Sequence, residues 1–224
     1  MPNHDVIVGA GSAGCVLAAR LSEDWARSVL LLEAGPDYPD VDSLPAEIRE
    51  LRGTVKTHHD WGYHSEPGGL GRSIQLARGK LVSGSSATNA TAALRGSPSD
   101  YDTWAAAGNP GWSFAEVLPC FKQLERDLDF GEPWHGTAGP LPIRRATDAE
   151  LTPLQRTFAE ACRSAGEPAV ADHNSPGAVG VGPWPSNGFG GLRRSAAVTF
   201  LAEARGRPNL AIRADVLVDR VVLE

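Results

Sequence analysis

Gly9-Ala-Gly11-Ser12-Ala13-Gly14 sets three glycines at the spacing G-x-G-x-x-G, and Glu33 follows 19 residues after Gly14. That pattern is suited to holding a dinucleotide. Gly9 permits a tight turn, Gly11 lets a pyrophosphate approach the backbone, and Gly14 lets a helix pack close to a strand. Unpaired N–H groups at the helix start attract phosphate. Glu33 can accept hydrogen bonds from a ribose diol, and its charge repels a 2′-phosphate, which disfavours NADP. A second stretch rich in small residues, Ala77 to Thr91, contains Arg78, Ser83, Gly84, Ser85, Ser86 and Asn89. Backbone of that kind can approach something flat or charged, with the serines and Asn89 as donors.

These groups need a frame. Asp5-Val-Ile-Val-Gly9 reads as a buried parallel strand, and Val16, Leu17, Ala18 and Leu21 recur on one side of a helix. Ser28 to Glu33 reads as a second strand, apolar on both faces as in a sheet covered on both sides. Strand, helix, second strand and acid therefore stand in order around the glycines, which weighs against a glycine-rich turn without a ligand. On this unit alone NAD and FAD both remain open. Downstream, Gly35 to Arg72 is broken by prolines, with a short helix expected over Pro45–Leu51. The small, apolar run Ala87–Leu94 reads as a buried helix. Ser113 and Thr152 open two further helices. Val117, Leu118, Phe121 and Leu124 are inward on the first; Leu154, Phe158, Ala161 and Cys162 are inward on the second. Asn209–Arg213 and Val216–Leu223 read as strands.

The 224 residues carry a net charge of −6, which argues against a nucleic-acid binder. No apolar run is long enough to span a membrane. Three scattered cysteines, Cys15, Cys120 and Cys162, read as reduced thiols, and the N-terminus lacks a secretory signal, so the expected location is cytoplasmic. The last strand runs to Glu224 with no closing helix, which suggests a piece of a longer protein.

Further motifs, in order, are Asp60-Trp61-Gly-Tyr63, Arg78-Gly79-Lys80 through Asn89, Arg95-Gly96-Ser97-Pro98, Asn109-Pro-Gly-Trp112, His135-Gly136, Gly191-Leu-Arg193 and Arg207-Pro-Asn-Leu210. Together with the opening they resemble the glucose–methanol–choline (GMC) family of FAD-dependent oxidoreductases over essentially the whole chain. The resemblance implies an α/β fold, α+β overall, with a Rossmann-type FAD-binding domain on a parallel sheet plus part of a substrate domain. On it, residues 1–224 are the N-terminal FAD-binding portion, segments 36–72 and 125–190 are excursions toward the substrate region, and the C-terminal catalytic portion is absent.

The implied activity is oxidation of the CH–OH group of a small-molecule alcohol by hydride transfer to flavin N5. Lyase or decarboxylase chemistry on the same scaffold, or a non-catalytic FAD-binding fragment, are the alternatives. The resemblance implies that Gly9, Gly11, Ser12, Ala13 and Gly14 hold the pyrophosphate and that Glu33, beside Ala34, holds the adenosine ribose. Arg78, Ser83, Gly84 and Ser86 would lie along the diphosphate and ribityl chain. Asn89, Ala90, Thr91 and Ala92 would face the flavin, Trp61 would lie near the cofactor, and Val218 would meet the adenine. Three positions depart from the family pattern. A paired glycine is Ser83-Gly84 here. Thr88 stands where some members link FAD through a histidine, which implies non-covalent FAD. Ala93 replaces a common aromatic. The family's catalytic histidine matches none of His58, His59, His64, His135 or His173, so no catalytic residue and no metal ligand is assigned. The expected partner is the C-terminal half of the enzyme as a separate or cleaved chain.

Overall fold

The computed structural model describes residues 3–51 and 58–223. It divides the chain into one unit formed by residues 1–90 and 190–224 and a second formed by 91–189. Residues 52–57 of the expected 36–72 excursion lie outside the described residues.

In the first unit, β-branched Val6, Ile7, Val8 and Val29 favour extended backbone, and Leu30, Leu31 and Leu32 continue the short apolar run. They form β1 (Asn3–Val8) and β2 (Arg27–Leu32), which run parallel with Ile7 opposite Leu31. The Leu210–Arg213 strand joins the other side of β2, also parallel, with Ile212 opposite Leu31. Helix α1 (Ser12–Leu21) connects β1 to β2. Its buried face is Gly14, Cys15, Ala18 and Ala19, while Leu17 is half exposed and Val16 and Leu21 are only partly covered. The reason is distance. A Cβ on Gly14 would lie 2.0 Å from the Gly9 carbonyl oxygen, so α1 sits so close to β1 that only small side chains fit beneath it. The larger ones turn outward, contrary to the expected Val16–Leu17–Leu21 face.

The expected covering of both sheet faces is also only half present. Val29 and Leu31 are buried, but Val6 and Val8 are about as exposed as covered, at 60% and 59%. Among the described residues, β1 pairs only with β2.

The returning segment 190–224 anchors this unit. Arg207 donates to the Ala19 carbonyl and the Ser22 hydroxyl, at the C-terminal end of α1. The Asn209 amide donates to the carbonyls of Ser22, Asp24 and Arg27 at 2.9–3.1 Å. One side chain thus satisfies most of the turn between α1 and β2. Asn209→Ala should lower stability by about 1–3 kcal/mol by removing the side-chain hydrogen bonds to the Ser22 and Arg27 carbonyls, while the Asp24 carbonyl keeps the Arg27 N–H, seen as a lower urea midpoint.

A second small core packs Ile48 of α2 (Ala46–Arg49) with Leu81, Ala87, Tyr38 and Leu44. The helix expected over Ala87–Leu94 is absent: a single 3₁₀ turn spans Gly84–Ala87, and the chain beyond it is irregular. Thr88, Asn89 and Thr91 are poor helix formers, and Thr91 has a φ of +62°. Nor is Val216–Leu223 a strand. Its backbone finds no strand partner among the described residues, and Leu217, Val221, Val222 and Leu223 are largely exposed.

In the second unit each helix opens on a capping box: Ser97 with Asp100 for α3 (Pro98–Ala106), Ser113 with Glu116 for α4 (Phe114–Leu124), and Thr152 with Gln155 for α5 (Pro153–Ser164). The α4 face of Val117, Leu118, Phe121 and Leu124 is half-buried. The α5 helix forms where expected, yet Leu154 and Phe158 are 79% and 63% exposed and Ala161 is exposed too. Its sequence carries an apolar stripe that the described chain leaves uncovered. Glu125–Asp127 and Leu141–Ile143 pair in parallel. Among the described residues, no helix is long and apolar enough to cross a membrane.

Candidate functional site

The glycine turn at the end of β1 leads into α1 with no side chain capping the helix. The first N–H groups of a helix lack intrahelical acceptors, so those of Ser12, Ala13 and Gly14 point out of the turn with the positive end of the helix dipole behind them. A Cβ on Gly11 would meet nothing within 4 Å. There is open space in front of the backbone at that position.

Glu33 lies just past β2 and is 5% exposed. Its Oε2 accepts from the Ala10 N–H and its Oε1 from the Gly35 N–H, both at 2.9 Å. The carboxylate therefore fixes the glycine turn to the end of β2, and each oxygen keeps a lone pair for a further donor. Ala34 is partly buried beside it. An uncapped helix start, open space at Gly11 and a buried carboxylate beside them fit the pyrophosphate and ribose of a dinucleotide.

The second glycine/serine stretch packs directly on this turn. The Ser83 N–H donates to the Ala10 carbonyl at 2.7 Å, and a Cβ on Gly84 would lie 2.8 Å from Gly11 Cα. Ser83 is 1% exposed and holds a φ of +98°, a conformation costing about 1–2 kcal/mol for a residue with a Cβ. The hydroxyls of Ser83 and Ser86 are not free donors, as the sequence suggested. Both are engaged within the protein, with each other and with the N–H groups of Ala197 and Ala196. The Ser85 hydroxyl accepts from the Gly79 N–H.

The other expected positions are spread more widely. The Arg78 N–H donates to Asp60 at 2.8 Å, and its guanidinium is exposed, donating to the Ala77 carbonyl. Trp61 is half-buried, stacks on Tyr63 and lies beneath the Lys80 ammonium, 5.0 Å from the ring centroid. Asn89 and Ala90 are exposed, with the Asn89 N–H on the Ser85 carbonyl. Val218 is partly buried, two residues past the Val216 N–H that donates to the Glu33 carbonyl. Thr91 and Ala92 belong to the second unit, where Thr91 Oγ1 meets Ser186 Oγ at 3.0 Å and Ala92 bridges Ser186.

Sequence reasoning missed a buried ionic cluster in the second unit. The His135 ring is 2% exposed. Its Nδ1 faces Glu125 at 3.0 Å and Asp127 at 2.9 Å, and its Nε2 faces Asp172 at 2.8 Å. Arg95 pairs with Glu125, and Arg145 with Asp127 and Asp172. Burial alone would lower the His135 pKa, but hydrogen bonds to Asp127, Glu125 and Asp172 outweigh it and raise the value to about 10. For Asp127, burial is likewise outweighed, by His135 and Arg145, and its carboxyl is held well below the usual range. Glu125, Asp127 and His135 lie close enough together to hold a metal ion. The two guanidiniums and the doubly protonated ring already balance the three carboxylates, so the cluster is a structural lock. The Asp172-His173-Asn174 turn serves it, with Asp172 also accepting from the Asn174 N–H.

The remaining histidines are engaged or open. His59 lies between Tyr38 at 2.7 Å and Glu47 at 3.1 Å, His64 faces the Gly62 carbonyl, His173 faces the Gly182 carbonyl, and the His58 side chain is 98% exposed. Cys15, Cys120 and Cys162 are free thiols, with burial pushing the Cys15 pKa up to about 12.

Residues 3–224 match the profile of the GMC oxidoreductase family. The oxygen-dependent choline dehydrogenase of Brucella anthropi is 40% identical over 222 residues, covering 98% of this chain and 40% of that protein. The crystal structure of pyridoxine 4-oxidase from Mesorbium loti aligns with a TM-score of 0.85 at 42% identity, over 96% of this chain and 42% of that one. An FAD-dependent oxidoreductase from Chaetomium thermophilum aligns with a TM-score of 0.83 at 29% identity, over 94% of this chain and 38% of that one. The chain thus spans less than half the length of these relatives. A Rossmann-type α/β frame, a glycine turn stapled by a buried acid and a profile match along almost the whole sequence lead to one conclusion: the chain belongs to the GMC oxidoreductase family.

Proposed function

We propose that this chain carries the FAD site of an enzyme that oxidises the CH–OH group of a small-molecule alcohol, with FAD held non-covalently. The observation that carries the reading is the uncapped start of α1 set beside the buried Glu33 carboxylate. When bound, FAD supplies a hydride acceptor at flavin N5. The chain's own residues bind and orient it. The N–H groups of Ser12, Ala13 and Gly14 meet the pyrophosphate, and Glu33 accepts from the ribose. Arg78 and the 83–86 backbone follow the diphosphate, with Trp61 nearby. Asn89, Ala90, Thr91 and Ala92 are assigned to the flavin ring and Val218 to the adenine.

Relatives named for choline and pyridoxine, both alcohols, support the substrate class. Thr88 offers no imidazole nitrogen for a bond to flavin, which supports non-covalent binding. No histidine of this chain is assigned as the base that takes the alcohol proton; that group is proposed to lie in a C-terminal portion. A cytoplasmic location belongs to the same reading.

An absorption spectrum of the purified chain, taken before and after acid precipitation, tests the cofactor. Flavin bands passing wholly into the supernatant are the expected result. Bands retained in the pellet would mean a covalent link, and a chain unable to take up added FAD would end the proposal.

A further inference from the structure

Ser83 and Ser86 form a closed arrangement of hydroxyls. The Ala197 N–H donates to Ser83 Oγ at 3.0 Å and the Ala196 N–H to Ser86 Oγ at 3.1 Å. Ser86 Oγ in turn donates to the Ser83 carbonyl at 2.7 Å. The Ser86 proton is thereby used, so in the 2.7 Å contact between the two hydroxyls Ser83 must be the donor. Both hydroxyl protons and both amide protons are then accounted for within the protein. Neither hydroxyl has a proton left to offer a phosphate.

The same two residues sit where three segments meet. Ala196 and Ala197 begin the helical segment that buries Phe200, Leu201 and Ala204. On the other side, Ser83 donates its N–H to Ala10, whose own N–H is held by Glu33. Gly84 lies against Gly11. A continuous path of direct contacts runs from the 196–204 segment through the two serines to the turn that faces the dinucleotide. A glycine at 83 would adopt the positive φ freely but could not make the Ala197 and Ser86 bonds. The strained serine is retained together with those bonds.

We propose that Ser83, acting through Ser86, is a positioning residue: its hydroxyl ties the glycine turn to the 196–204 segment and does not itself contact the cofactor. The proposal rests on the FAD reading above. The test compares the unaltered chain with Ser83→Gly, Ser83→Ala, Ser86→Ala and Ser86→Thr. It measures amide hydrogen exchange at Ala196 and Ala197 without FAD, and FAD affinity by flavin fluorescence at matched unfolding midpoints.

Ser83→Gly and Ser83→Ala are expected to speed exchange at Ala197. Each should also weaken FAD binding by about tenfold, the equivalent of one lost hydrogen bond. Ser86→Ala should do the same with Ala196, while Ser86→Thr, which keeps the hydroxyl, should retain both properties. Unchanged exchange at Ala197 in Ser83→Gly overturns the proposal. So does loss of FAD affinity in the Ser83 variants with full affinity in Ser86→Ala, the pattern of a direct cofactor ligand. If the unaltered chain bound no FAD, the FAD reading and the cofactor part of this proposal would fall. The exchange data would still decide whether the hydroxyls hold the two segments together.

Discussion

His135→Gln should lower the stability of the protein by about 3–5 kcal/mol, the usual result of removing one partner from a buried ion pair. The substitution leaves the three carboxylates of Glu125, Asp127 and Asp172 with two guanidinium charges, Arg95 and Arg145, in a site where the ring was 2% exposed. Urea unfolding reads the loss directly. The same residue sets a pH dependence. The folded-state pKa of His135 is raised from 6.5 to about 10, so the stability it contributes is complete below pH 6.5. As pH rises from there toward 10, the unfolded chain gives up its proton first and folding must take one up. Stability then falls by up to about 1.4 kcal/mol per pH unit. The unaltered chain should therefore lose urea resistance across that window, and His135→Gln should lack this component. Asp127 acts at the other end. Its carboxyl is depressed, so its contribution is complete above the ordinary carboxylate range, declines as pH falls below that range and is gone once pH has passed the depressed folded-state value. A flat profile in the unaltered chain above neutral pH would mean that the ring is neutral and would sink the description of the cluster as charge-balanced.

The second large effect separates binding from folding at two glycines three residues apart. Gly11 has an ordinary negative φ, and a Cβ there would meet nothing within 4 Å. Gly11→Val should leave the unfolding midpoint of the FAD-free chain nearly unchanged and abolish FAD retention, because the side chain fills the space assigned to the pyrophosphate. Gly14→Ala should behave oppositely. Its Cβ would lie 2.0 Å from the Gly9 carbonyl oxygen, so α1 must move off β1, and the FAD-free chain should itself be destabilised by about 1–3 kcal/mol or more. A Gly11→Val protein that purified with full flavin content would refute the role given to that turn.

The β1-α1-β2 turn was legible because its determinants are local. Three glycines and an acid at fixed spacing act within some thirty residues, and each does one geometric job. The capping boxes at Ser97, Ser113 and Thr152 are local in the same way; the two opened by Ser113 and Thr152 were read in advance. What could not be read depends on distant partners. The acids, arginines and histidine around His135 come from five separate stretches of chain, and nothing in their spacing brings them together. Thr91 has a positive φ where its carbonyl accepts from the Asn187 N–H, a partner 96 residues away, and a run of small residues that looked helical is irregular beyond the 3₁₀ turn. The α5 face of Leu154, Phe158, Ala161 and Cys162, expected to be inward, is largely exposed instead. Its periodicity says nothing about whether the chain itself provides a cover.

The pairing of β2 with the Leu210–Arg213 strand has a consequence for how the molecule comes into being. Leu31 and Ile212 are neighbours in the sheet but about 180 residues apart in sequence, and contacts of such high order are closed late. During synthesis, β1, α1 and β2 emerge first and wait while the whole of residues 91–189 is made. Only then do Arg207 and Asn209 arrive to fasten the end of α1, and Ala196 and Ala197 to meet the two serines. The part of the dinucleotide frame that carries its recognisable motif is thus made before residues 91–189, and it is completed by segments that follow them.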